Sequence, residues 1–180
     1  MKLIWPGSAL SLSLGFGLCL LSMTAMAQKK YTITETPDSD SKYTQEHVIE
    51  VGDVPGHQIR IYELHFTYPK KDMVFGDVPV KDSYTRGISD YTNGSGTFKT
   101  YNLYILEDGN TIITEGGGTT QTNPTRDGSK PARKFTFVDH FVSGTGKFAG
   151  IRGQQRGSGE RAAGSDSITE QSSGEYWLEK

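Results

Sequence analysis
The sequence is short of three things: cysteine, apolar runs beyond its first residues, and an excess of charge of either sign. Its one cysteine, Cys19, lies within the N-terminal apolar stretch, so no disulfide framework can hold the remainder together. Nineteen Lys and Arg stand against 21 Asp and Glu, a formal net charge of −2 spread along the chain. That balance excludes the basic face that nucleic acid or an anionic membrane surface requires. Leucine and alanine are scarce after residue 27, and nowhere does an apolar pattern persist at 3.6-residue spacing for three turns. A helical bundle is therefore excluded.

The first 27 residues read as a targeting segment. Lys2 supplies a basic start, Ala9–Leu21 is an apolar run too short to span a bilayer comfortably, and Ala25-Met26-Ala27 gives a small–x–small cleavage signal. Cys19 follows Leu18 instead of a small residue, which does not fit a lipoprotein signal. Cleavage after Ala27 leaves 153 residues, of which 44 are hydrophobic, 17 aromatic and 19 glycine. The expectation is one secreted or periplasmic domain with no membrane attachment after cleavage. Its aromatic and β-branched content argues against disorder.

Residues 28–55 are polar, with Pro37–Asp40 reading as a turn, and are expected to form a polar N-terminal arm ahead of a domain over 56–180. His57–Tyr68 is rich in aromatic and β-branched residues and free of Pro and Gly, which suits a strand. A short apolar run lies in Met73–Pro79, and a strand over Ser83–Ser89 ends near Asn93-Gly94. Phe98–Glu107 and Asn110–Glu115 flank Asp108-Gly109, a pair that accepts positive φ, and so form a hairpin. Gly116-Gly117-Gly118 is expected to lead into a polar loop through Pro131. Lys134–Val142 places Phe135, Phe137, Asp139 and Phe141 on one face, and Glu175–Glu179 reads as a closing strand. Strands joined by tight turns, without helices between them, indicate an antiparallel sheet of seven or eight strands, closed as a barrel or packed as a sandwich.

The glycine run Ser143–Gly153 (SGTGKFAGIRG) does not fit a phosphate cradle. Phe148 follows Lys147 where a P-loop needs Ser or Thr, and Gly150 comes one residue late for a dinucleotide fingerprint. No cofactor is expected. Gly144 and Gly146 suit a tight corner, and Gly150 and Gly153 suit a bend in a curved strand.

This run resembles the GGTGKF-x-x-ARG segment of dirigent proteins and the GGAG-x-F-x-G-x-x-G segment of allene oxide cyclases. Other similarities follow in order. Ile61–His65 resembles the VYEIN opening of the cyclases, Phe75–Val80 is similar to their GDLVPF segment, and Gly87-Ile88-Ser89 to their GIT. The likeness covers roughly residues 57–155, and Gln154–Gly174 departs from both families. It implies an eight-stranded antiparallel β-barrel, assembled as a homotrimer, with a small apolar or aromatic molecule in the barrel. It also implies a role for Glu63, which matches the glutamate thought to steer a cationic intermediate through ring closure in the cyclases. Two departures weigh against that chemistry: His65 stands where the family has Asn, and the family's Ser-Pro pair has no counterpart near Lys71–Val74.

Alternation along His57–Tyr68 puts Ile59, Ile61, Glu63, His65 and Thr67 on one face and Arg60, Tyr62, Leu64, Phe66 and Tyr68 on the other. If the first set points inward, Glu63 and His65 are the catalytic candidates, with Ile61, Tyr104 and Asp139 lining the ligand site. If the second does, Glu63 and His65 face water. The residues leave both open. His47, His57, His65 and His140 are scattered, so no metal site is expected, and no G-x-S-x-G supports a serine nucleophile. Three functions follow: a barrel that binds or guides a small molecule as dirigent proteins do, an isomerase using Glu63, or a packed barrel without ligand.

Overall fold
A computed structural model of the chain describes residues 31–35, backbone only, and 41–71, 73–123, 131–163 and 168–179. The expected targeting segment, its cleavage site and the turn at 37–40 lie outside these. Among the described residues ten strands run in chain order: β1 (Tyr31–Glu35), β2 (Lys42–Glu50), β3 (His57–Thr67), β4 (Val74–Phe75), β5 (Val78–Thr92), β6 (Ser95–Leu106), β7 (Thr111–Asn123), β8 (Ala132–Gly144), β9 (Ile151–Arg161) and β10 (Ile168–Leu178). A 3-10 turn, Gly146–Phe148, joins β8 to β9. Among the described residues no helix is long and apolar enough to cross a membrane.

The fold is all-β. Nine strands form one antiparallel sheet in the order β1-β10-β9-β8-β7-β6-β5-β3-β2, and β4 pairs with β5 alone. Local chemistry sets the corners. Asn93 and Gly94 both have positive φ (53° and 80°) at the β5–β6 hairpin, and Gly109 (φ 82°) turns β6 into β7 at the expected place.

Chain segments that read as irregular turn out to be strands. Part of the expected polar arm forms β1 and β2, pairing with β10 and β3 respectively. Every residue of β2 is exposed, so it carries no buried alternation that could betray it in sequence. Strand β7 continues through Gly116–Gly118 to Asn123 instead of ending in a loop. The three glycines lie against β6 and β8 so closely that a Cβ on any of them would overlap a neighbouring backbone carbonyl. The corner glycines behave as expected in part. Gly146 (φ 53°) lies in the 3-10 turn, and Gly150 (φ 77°) precedes β9 with its carbonyl accepting from the Glu179 backbone N–H at 2.8 Å. Gly144 ends β8, and Gly153 lies inside β9.

The sheet curls, bringing distant strands face to face. Phe75 of β4 meets Tyr104 of β6, Phe141 of β8 and Tyr176 of β10, with ring centroids 5.6–5.8 Å apart. Around them Met73, Val80, Leu106, Ile112 and Ile151 are almost fully buried. This apolar plug fills one end of the curl. Burying each large side chain contributes roughly 1.5–3 kcal/mol, so the plug is the main packed core. No hydrogen-bonded ladder joins β1 to β2 among the described residues, and these two strands remain the edges of the sheet.

Candidate functional site
Above the plug the curl encloses a cavity of about 330 Å³. The alternation of β3 decides what it contains. Tyr62, Leu64, Phe66 and Tyr68 point inward; Ile59, Ile61, Glu63 and His65 point the other way. The inward reading of Glu63 is therefore corrected. Its carboxylate accepts from Thr44 Oγ1 at 2.6 Å and from Arg86 Nε at 2.8 Å on the outer face, and these contacts, the Thr44 hydrogen bond foremost, hold its pKa below the usual range. His65 lies on the same outer face, with Nε2 2.9 Å from Asp82 Oδ1 and its ring stacked on Tyr84. Ile61 is 54% exposed beside Ile88 and does not touch the cavity. The physical reason is aromatic bulk: a ring inside buries more surface than a β-branched side chain, so the row Tyr62–Tyr68 takes the interior.

Tyr104 and Asp139, expected to line a ligand site, both line this cavity. Strand β8 presents Arg133, Phe135, Phe137, Asp139 and Phe141 inward, as its alternation requires. Asp139 is only 3% exposed and forms the floor of the cavity. Its Oδ2 accepts from Asn102 Nδ2 at 2.9 Å, and Gln155 Nε2 approaches at 3.5 Å while donating to Tyr104 Oη at 2.8 Å. Asn102 is itself fixed, since its Nδ2 also donates to Thr114 Oγ1 and its Oδ1 accepts from Thr85 Oγ1. Asp139 Oδ1 and Gln155 Oε1 are buried without a hydrogen bond among the described residues. Burial pushes the Asp139 carboxyl up to about 6, and the bonds from Gln155 and Asn102 only partly offset this.

The walls are aromatic and depend on glycine. Rings of Phe135 and Phe137 lie over Gly159 and Gly157 of β9, and Tyr62 lies over Gly87 of β5, where any Cβ would overlap the ring. Hydrogen bonds fix the polar ends of the inward tyrosines: Tyr91 Oη is 2.9 Å from Thr120 Oγ1, and Tyr68 Oη is 2.9 Å from Ser83 Oγ. Burial raises the pKa of Tyr62 and Tyr91, so both hydroxyls stay protonated at neutral pH.

At the open end stand Arg60, Arg133 and Arg161, none of them among the residues expected in the site. A signal was present: Arg60 precedes Tyr62 by two, and Arg133 precedes Phe135 by two, so each continues an inward row. Among the described residues no three His, Cys, Asp or Glu side chains converge as metal ligands would. The fold and site together define an all-β chain with an aromatic-walled internal cavity, acidic at the floor and basic at the mouth. No family model and no curated protein matches the sequence.

Proposed function
We propose that the curled sheet is a β-barrel of the allene oxide cyclase and dirigent type, and that it binds or guides one small apolar or aromatic molecule in its interior. The observation that carries this reading is the 330 Å³ cavity, walled by Tyr62, Phe135 and Phe137 and floored by Asp139. A mostly apolar pocket with a few convergent polar groups is what small ligands require. Asp139, Asn102 and Tyr104 at the floor would offer polar partners to the inner end of such a ligand. The test is a titration with a neutral aromatic fluorophore, N-phenylnaphthylamine, against the wild type and Thr100→Trp, which fills the cavity from β6. Binding to the wild type that disappears in Thr100→Trp supports the reading. Equal binding to both, or to neither, ends it.

A second reading, proton transfer within the cavity, is favoured by the Asp139 carboxyl near 6, since a group that titrates close to neutrality can give and take a proton. Isomerisation of a fatty-acid epoxide by the wild type and not by Asp139→Asn would support it; no turnover by either would remove it. The reading includes export through the N-terminal segment, checked by fractionation. It also includes trimer formation, checked by sedimentation; the exposed outer row Ile49, Ile59, Ile61 and Ile88 supports it.

A further inference from the structure
The mouth of the cavity holds more positive charge than its own walls neutralise. Arg133 of β8 and Arg161 of β9 are direct register partners, and both line the cavity beside Arg60 of β3. Arg60 is engaged: it forms an ion pair with Glu46 and lies over the rings of Tyr43 and Tyr62. Arg133 has the ring of Tyr91, 5.7 Å from its guanidinium carbon, and Arg161 donates a long 3.4 Å hydrogen bond to the Pro131 carbonyl. Among the described residues neither has a carboxylate at ion-pair distance, and the Nε of each is buried without a hydrogen-bond partner. Burial, and then repulsion from Arg161, draws the Arg133 pKa down. The lining as a whole carries four cations, with Lys42 the fourth, against the two carboxylates Glu170 and Asp139.

Two neighbouring guanidinium groups, partly stripped of water and left without an anion, are held at a cost. That cost is reversed when a carboxylate joins them, because a planar guanidinium donates two parallel hydrogen bonds to it. We propose that the molecule held in the cavity is a small aromatic carboxylate, bound with its acid group at the mouth on Arg133 and Arg161 and its ring between Tyr62, Phe135 and Phe137. This inference rests on the cavity being a binding site, and it orients the ligand: charge outward, hydrogen-bond donor toward Asp139.

The experiment compares 2-naphthoate with 2-naphthylmethanol, which share a ring system and differ in charge, by calorimetry on the full protein near pH 7.5. The acid is expected to bind at least about tenfold more tightly than the alcohol, the range of a charge-assisted hydrogen bond. That preference should shrink as salt rises from about 0.05 M to about 0.5 M, and shrink again in Arg161→Met and in Arg133→Met. Arg161→Lys, which keeps the charge, should restore part of it. If acid and alcohol bind equally to the wild type, the carboxylate inference falls and the cavity reading stands. If neither binds, both fall. Should Arg133→Met fail to fold, the Arg161 pair and the salt series decide: a preference indifferent to both overturns the proposal.

Discussion
The two ends of the interior are built from the same strands and behave oppositely. At the plugged end, Phe75 meets Phe141 edge to face, Tyr176 packs tilted against both, and the neighbouring Met73 and Ile112 are wholly buried. At the open end, aromatic rings line the walls without filling the space between them, and arginines replace aliphatic side chains. The inward row of β8 shows the change along one strand: Phe141 in the plug, Asp139 at the boundary, then Phe137, Phe135 and Arg133 toward the mouth. Stability is concentrated at one end, which leaves the other end its unfilled volume and its buried charge.

The largest effect expected from breaking this contrast is at Phe75. Phe75→Ala should lower unfolding free energy by about 3–5 kcal/mol, because four rings lose their common partner and the cavity left is far from solvent. Urea denaturation checks it. At the boundary, Asp139→Asn should stabilise the protein above pH 7 by on the order of 2–3 kcal/mol. The sign follows from the raised folded pKa of about 6. The folded state binds the proton more tightly than the unfolded state, so the wild type loses stability as pH rises from about 4 through 6. The variant should lack that loss, and the two should converge near pH 4. Melting curves at several pH values test this.

In the aromatic wall, Gly157→Ala should cost about 1–3 kcal/mol. The new methyl group meets the Phe137 ring and the Gln171 carbonyl, so the ring must leave its seat. Aromatic-probe affinity should fall together with stability, which separates a wall position from a plug position such as Phe75. The smallest effect is expected on the outer face. Glu63→Gln removes a surface ion pair with Arg86 and should change stability by about 0.5 kcal/mol or less, with probe binding unaltered. A large loss of binding in Glu63→Gln would contradict the assignment of the interior to the other face of β3.

Sequence legibility followed the same division between faces. Strands β3, β6 and β8 and the Asp108-Gly109 hairpin were readable because aromatic alternation and a positive-φ pair are local signals. Strand β9 and the first half of β10, ahead of the expected strand at Glu175–Glu179, were not, since glycine, serine and glutamine fill interior positions opposite bulky rings, and the pattern there is complementary to a neighbour and not to the residue two places along. The direction of β3 was also hidden. Both of its faces carry apolar residues, and only the partners on β2 and β5 show that Ile59 and Ile61 belong outside. Asp139 was legible as a polar residue in an aromatic row; Arg133, two residues before Phe135 in the same row, was not, because nothing in an arginine itself marks it as facing a cavity.

The two edges left by β1 and β2 give the wall a beginning and an end. Backbone amides there depend on one neighbour each, whereas those of β6, β7 and β8 sit between two. Hydrogen exchange should therefore proceed inward from the seam, like a slat blind opening from one side, with the strand that carries Asp139 among the last to exchange.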